Sequence, residues 1–254
     1  MSAQEMNVDS KICLVTGAGS GIGATTAKHL AARGMTVVCA DLNGDGAAQV
    51  AADIVAAGGS ATAATLDVTD DVAVSALVEQ IVADHGRLDV AVNSAGIGDP
   101  ERNHLADVDP AAWHRVIGVN LTGVFFCMRA EIDAMLRTGG GSIVNMASVH
   151  SLVGRSMQAA YVASKHGVVG LTKAAAIEYG DRAIRVNAVC PGYIETPLLV
   201  DMPTPMREQI EAKHPVGRLG TPEEVAEVVD FLAGDSSSFV TGAAYTVDGG
   251  YTAQ

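Results

Sequence analysis

Short runs that are apolar throughout alternate along the chain with longer runs whose apolar residues recur at three- and four-residue intervals. The short runs, near 11–16, 36–40, 61–66, 88–93, 141–147, 184–190 and 244–248, predict strands. A run such as Ile12-Cys13-Leu14-Val15 has no polar alternation, as expected for a strand covered on both faces. The long runs, near 21–33, 45–57, 70–85, 110–136, 158–179 and 222–233, predict helices. Strand and helix in strict alternation imply an α/β fold: a doubly wound parallel sheet of about seven strands, with right-handed crossovers placing helices on both faces. No linker divides the chain, so 1–254 reads as a single domain. The least regular stretch is 191–221, with Pro197, Pro203, Pro205 and Pro215, and a lid is expected around 193–220.

Composition narrows the partners. Lys and Arg total 16 against 29 Asp and Glu, and the net charge of -13 argues against nucleic acid or an anionic membrane. No apolar run approaches the roughly 18 residues of a membrane span, and the amino terminus lacks the pattern of a secretion signal, so a cytoplasmic protein is expected. Cys13, Cys39, Cys127 and Cys190 are widely spaced in apolar segments. They read as buried free thiols rather than as a disulfide or metal framework, and no metal site is expected.

The first strand runs directly into Thr16-Gly17-Ala18-Gly19-Ser20-Gly21-Ile22-Gly23 and a helix. A glycine-rich turn between strand and helix lets backbone N–H groups approach a pyrophosphate, which gives the fold a Rossmann-like character. Asp41 ends the second strand twenty residues after Gly21, where a carboxylate reaches an adenosine ribose. A 2′-phosphate there would meet Asp41 with no basic residue in Leu42, Asn43 or Gly44. At about 4 Å and an effective dielectric near 20 that repulsion is roughly 4 kcal/mol, which favours NAD over NADP. The plainer alternative is that Asp41 starts a turn. Asp67 and Val68, after the third strand, suit an adenine ring, and Asn93-Ser94-Ala95-Gly96, after the fourth, either approaches the cofactor or ends a strand.

A second constellation spans Ser148 to Lys165. Tyr161 and Lys165 are four apart in a helical run, so they share one helix face. A cation there favours the phenolate and is expected to lower the tyrosine pKa from about 10. Ser148 follows the fifth strand, at the edge where open α/β sheets bind ligands.

Taken together these pieces resemble the classical short-chain dehydrogenases/reductases over essentially the whole chain. The resemblance rests on Thr16-Gly17 with Gly21-Ile22-Gly23, Asp67-Val68, Asn93 with Ala95-Gly96, Asn120, Ser148, Tyr161 with Lys165, and Pro191-Gly192. Ser94 departs from the Asn common at its position. The resemblance implies a catalytic tetrad of Asn120, Ser148, Tyr161 and Lys165. Tyr161 would be the general acid or base, Ser148 would bond the substrate oxygen, Lys165 would hold the nicotinamide ribose, and Asn120 would position a water in a proton relay. It also implies that Gly17, Ser20, Gly21, Ile22, Gly23, Asp41, Leu42, Asp67, Val68, Asn93, Ala95, Gly96, Pro191, Gly192, Ile194 and Thr196 border the cofactor. A homotetramer is implied as well, built on the helices near 110–136 and 158–179 and the carboxyl-terminal segment through Tyr251.

The substrate is read from pocket candidates: His150, Leu152, Met157, Gln158, Tyr193, Leu198, Leu199, Met202 and Met206. Their apolar character suits a medium-sized secondary alcohol or ketone, cyclic or linear. Arg155 is placed to meet a substrate carboxylate or simply to stay solvated. One alternative is a reductase of 3-oxoacyl thioesters, on acyl carrier protein or CoA, for which Arg137, Arg182 and Arg185 would form a basic patch. A non-catalytic NAD(H) sensor or scaffold is the alternative of another class.

Overall fold

The computed structural model of the chain describes residues 10–199 and 203–253. Seven parallel strands form one sheet in the order β3-β2-β1-β4-β5-β6-β7: β1 (Ile12–Thr16), β2 (Thr36–Asp41), β3 (Ser60–Thr65), β4 (Val90–Asn93), β5 (Gly141–Met146), β6 (Ile184–Pro191) and β7 (Ala244–Val247). Each expected strand is present within two residues of its expected ends. Strand order reverses between β1 and β4, which opens a crevice at their carboxyl ends.

Alternate strand residues feed two cores. Leu14, Val38, Ala91, Ile143 and Val186 pack against α3 (Asp71–His85), α5 (Val124–Thr138) and α6 (Ala159–Tyr179). Cys13, Val37, Val92, Val144 and Val189 pack against α1 (Gly21–Ala32), α2 (Gly44–Ala56) and α8 (Pro222–Ala233). This two-sided burial is why the central strands read as nearly unbroken apolar runs, whereas the edge strand β3 is largely exposed. All four cysteines are buried and free.

Two helical expectations are corrected. The run at 110–136 is not one α-helix: α4 (Pro110–Ile117) and α5 are joined by a π-helical turn, Gly118–Gly123, that carries Asn120. Gly123 packs so closely on Val68 that an added Cβ would lie 2.8 Å from the Val68 side chain. The irregular stretch 191–221 contains α7 (Thr204–Glu211), whose Pro205 falls in the first turn, where a missing N–H costs nothing. No helix among the described residues is long and apolar enough to cross a membrane.

A polar seam runs through the first core. Asn93 Nδ2 donates to Glu131 Oε2 and Asn145 Oδ1, both at 3.0 Å, and Asn145 Nδ2 donates to Thr172 Oγ1 at 2.9 Å. Glu131 is 0% exposed, and burial pushes its carboxyl up to about 7 against the opposing Asn93 bond. Its Oε1 and the Asn93 Oδ1 have no hydrogen-bond partner among the described residues, and an acid form supplies a donor where a carboxylate offers only acceptors. A folded pKa near 7 against 4.5 unfolded means the folded state holds the extra proton. Stability is therefore full below about pH 4.5 and falls as pH rises toward 7, by on the order of 3 kcal/mol. Calorimetric unfolding from pH 5 to 8.5 should show this decline, and Glu131→Gln should flatten it; parallel curves for the two proteins would exclude Glu131 as the titrating group.

Candidate active site

The crevice is walled on one side by the turn after β1. Gly17 has φ +68°, and a Cβ there would lie 2.7 Å from Ala95 N, so the turn closes directly on the 94–96 backbone. A Cβ on Gly23 would reach 2.1 Å from Gly17 O, so α1 can approach β1 only through glycine. Ser20, the N-cap of α1, makes no side-chain cap bond, whereas Asn43, Asp70, Asp109 and Thr221 cap α2, α3, α4 and α8. The first N–H groups of α1 are thereby left for a ligand. Ile22 is partly buried against the second core. Across the crevice Gly21 faces the Thr196 side chain, 3.6 Å from an added Cβ.

Asp41 accepts from Gly19 N and Asn43 N, both at 2.8 Å, and among the described residues no Lys or Arg pairs with it. Each oxygen keeps an acceptor position. Leu42 beside it is 69% exposed. Asp67 Oδ1 accepts from Thr69 N and Oγ1, while the Val68 side chain is buried in the core. The Asn93 side chain turns into the polar seam, and the backbone that follows it, Ser94 to Gly96, borders the crevice. Pro191 ends β6, Gly192 N donates to Val247 O at 2.9 Å, and Ile194 is buried beside Gly220. Glycine lack of side chains, an open helix terminus and an acceptor carboxylate together fit a dinucleotide.

The structure brings the four expected polar residues to one place. Ser148 follows β5, is 6% exposed, accepts from His150 N at 3.1 Å and hydrogen-bonds with Tyr161. Lys165 is 4% exposed and donates to Met146 O at 2.8 Å. Burial pulls its ammonium down to about 8, opposed by Cys190. Asn120, 0% exposed, accepts from Ile97 N and donates to Ile97 O, both at 2.8 Å. Asn120 Oδ1 and Lys165 Nζ both approach Gly96, at 3.4 and 3.5 Å from an added Cβ.

The expected depression of the Tyr161 pKa is not what the folded chain gives. Burial pushes the phenol above its ordinary range, the bond with Ser148 pulls it down, and the Asp99 carboxylate pushes it up again. Lys165 lies 5.7 Å from the phenol ring centroid with its ammonium committed to Met146, so desolvation wins.

Around these groups stands an aromatic wall. The His150 ring lies 6.3 Å from Tyr161, 6.0 Å from Tyr193 and 6.2 Å from Tyr251, and burial holds His150 down at about 4, helped by Arg155. Its Nε2 is 3.4 Å from Tyr193 Oη. His214 packs on Tyr193 and Tyr251 and accepts from Tyr193 N. Met157, with φ +60°, and Gln158 lead into α6. Leu152 is 43% exposed, Leu198 and Leu199 lie in the turn Pro197–Leu199, and Met206 Sδ meets Arg102 from α7. Met202 lies outside the described residues. Sequence reasoning missed Asp99, Arg102, His214 and the wall position of Tyr251; the one local signal was Gly249-Gly250, both at positive φ, which turn the chain back after β7.

Comparison with known proteins agrees with this geometry. The family model described as enoyl-(acyl carrier protein) reductase matches residues 17–252. Cyclohexanol dehydrogenase of Acinetobacter sp. (strain SE19) is 48% identical over 97% of this chain and 96% of its own. Cis-4-hydroxycyclohexanecarboxylate dehydrogenase of Sinomonas cyclohexanicum is 47% identical over 96% of this chain and 97% of its own. The crystal structure of gox2181 superposes with a TM-score of 0.94 at 36% identity, covering 97% of both chains. With the doubly wound sheet, the glycine turn and the clustered Asn, Ser, Tyr and Lys, these matches mean that the chain belongs to the short-chain dehydrogenase/reductase family.

Proposed function

We propose that the protein is an NAD-dependent dehydrogenase that interconverts a cyclic secondary alcohol and its ketone. The observation that carries this reading is the convergence of Ser148, Tyr161 and Lys165 beside a turn whose glycines and uncapped helix terminus suit a dinucleotide. Relatives named for cyclohexanol and hydroxycyclohexanecarboxylate oxidation support the ring-shaped substrate. The nicotinamide ring, when bound, accepts or returns hydride.

The chain's own part is to hold the substrate oxygen and move its proton. Ser148 bonds that oxygen through its hydroxyl, and Tyr161 takes the alcohol proton or returns it to the carbonyl oxygen. Lys165 has three donors and only one given to Met146 O, which leaves two for a ribose and for the phenol side. Asn120 opens the π-helical turn toward Ile97, on the path by which a proton leaves Lys165. Gly17, Ser20, Gly21, Ile22 and Gly23 cradle the pyrophosphate, and Thr196 faces it from the other wall. Asp41 and Leu42 border the adenosine ribose, Asp67 and Val68 the adenine, and Gly96, Gly192 and Ile194 the nicotinamide end. His150, Met157, Gln158 and Tyr193 line the substrate space under a lid at 193–220. A homotetramer in the cytoplasm completes this reading.

The acyl-thioester reading is favoured by the description of the matching family model. Against it, the proposed carrier patch is already engaged: Arg137 pairs with Glu79 and Asp133, Arg182 with Asp181, and Arg185 spends its donors on the carbonyls of Leu232 and Gly234. An acidic carrier has little left to grip.

Replacing Tyr161 by Phe should lower cyclohexanol turnover by on the order of 10²- to 10⁴-fold while cofactor affinity, followed by fluorescence titration, changes little. Because burial raises the phenol pKa, oxidation should accelerate as pH rises through the alkaline range and reduction should slow. A pH-independent rate with unchanged Tyr161→Phe turnover would sink the mechanism. Absorbance at 340 nm should show kcat/KM at least tenfold higher with NAD than with NADP, and Asp41→Asn should narrow that gap; equal use of both cofactors by the native enzyme would remove Asp41 as the discriminator.

A further inference from the structure

Most arginines of this acidic chain are spent on carboxylates: Arg33, Arg129, Arg137, Arg207 and Arg218 each sit on Asp or Glu. Arg155 and Arg102 are not. Arg155 follows Ser148 by one loop and is half-buried; its guanidinium lies 5.2 Å over the Tyr193 ring and bonds with the Tyr251 hydroxyl. Arg102 reaches in from the loop after β4, where Met206 Sδ, at 3.9 Å, is its partner. Among the described residues no carboxylate pairs with either. The two acids of the Arg102 loop are engaged elsewhere, Asp99 with Tyr161 N and Glu101 with Asn103 Nδ2.

Burial, and after it the charge of Arg102, pulls Arg155 below its ordinary range. A half-buried cation kept beside another, in a chain with 29 acids to draw on, is an arrangement that an incoming anion relieves. The stacking on Tyr193 restricts the guanidinium of Arg155, so less side-chain freedom remains to be lost on binding. Arg155 stacks on Tyr193, Tyr193 packs on His150 and His150 packs on Tyr161, so the contacts that tie Arg155 to the phenol run through two rings and assign it to a substrate group away from the reacting carbon.

We infer that Arg155, backed by Arg102, binds a carboxylate carried by the substrate away from its carbinol, so that the enzyme's preferred substrates are ring hydroxy acids and the matching oxo acids. This deepens the alcohol dehydrogenase reading and rests on it. A guanidinium fork accepts a carboxylate through two parallel N–H bonds, which also fixes which face of the ring meets Tyr161. A 2-hydroxy acid does not fit this assignment, since its carboxylate adjoins the carbinol.

The test compares 3- and 4-hydroxycyclohexanecarboxylate with 3- and 4-methylcyclohexanol in the native enzyme, Arg155→Gln, Arg155→Lys and Arg102→Gln. The native enzyme should favour the acids, and Arg155→Gln should cut the acid-to-alcohol ratio of kcat/KM by on the order of 10- to 100-fold, chiefly through KM. Arg155→Lys should restore part of that ratio and Arg102→Gln should lower it less. A purely structural Arg155 would depress both substrates in proportion; a ratio unchanged within twofold, or a rise in the KM of the cofactor instead, would overturn the assignment. Turnover of neither substrate would defeat the alcohol dehydrogenase reading by itself. Calorimetry with cyclohexanecarboxylate, which has nothing to oxidise, then still decides the site. At least tenfold weaker binding to Arg155→Gln supports it, and equal affinity refutes it.

Discussion

A buried ammonium with no carboxylate partner among the described residues sets the terms for the site. Lys165 has left water almost completely, and the carbonyl of Met146 is the acceptor that makes this tolerable. That bond joins α6 to the end of β5, and so fixes Tyr161 one helical turn away against Ser148, which begins two residues after Met146. Asn120 and the Gly96 backbone close the remaining side. Move the Met146 carbonyl and all of these separate, since each is positioned relative to that strand end. The same desolvation shifts both Tyr161 and Lys165 toward their neutral forms: Lys165 comes close to exchanging its proton at ordinary pH, while Tyr161 holds its proton more firmly until the bound partners draw it off.

A second polar system lies one layer deeper. Asn93, Glu131, Asn145 and Thr172 tie β4, α5, β5 and α6 together beneath the crevice. The turn that touches Gly17 begins directly after Asn93, so the seam fixes the floor on which both walls stand. Hydrogen bonds of this kind impose register more firmly than apolar contacts do, because a slip leaves buried groups without partners.

Much of this was legible from the chain. The five central strands were legible because two-sided burial leaves few polar residues in them, while the edge strands β3 and β7, only partly covered, were marked by their place in the alternation. The glycine turn, Asp41, Ser148, Tyr161 and Lys165 were legible because backbone approach and helix spacing are local properties. The turn of Asn93 into the core was also legible, since counting by two from Ala91 puts it on the α5 face. The π-helical turn was not: it depends on Asn120 meeting Ile97 and on Gly123 meeting Val68, contacts between distant segments. Two prolines hid α7, although the first turn of a helix accepts them. The electrostatics of Tyr161 needed the fold, because burial and Asp99 outweigh a cation that sequence spacing alone made dominant. Arg155 was visible as a residue, but its unpaired state beside Arg102 is a fact of three dimensions.

The strand order also has a consequence for how the molecule comes into being. β1 is flanked by β2 and β4, and Ile12 N donates 2.8 Å to Asp89 Oδ2, a residue 77 positions later. Until the segment at 89–93 has been synthesised, one edge of β1 exposes its ladder groups to any passing strand. Both walls of the crevice meet at this pair of strands, so the half that carries the glycine turn remains an open-edged fragment until the other half arrives. Parallel pairing across such a separation makes folding slow, and a ribosome pausing before residue 89 would hold out a segment prone to aggregate.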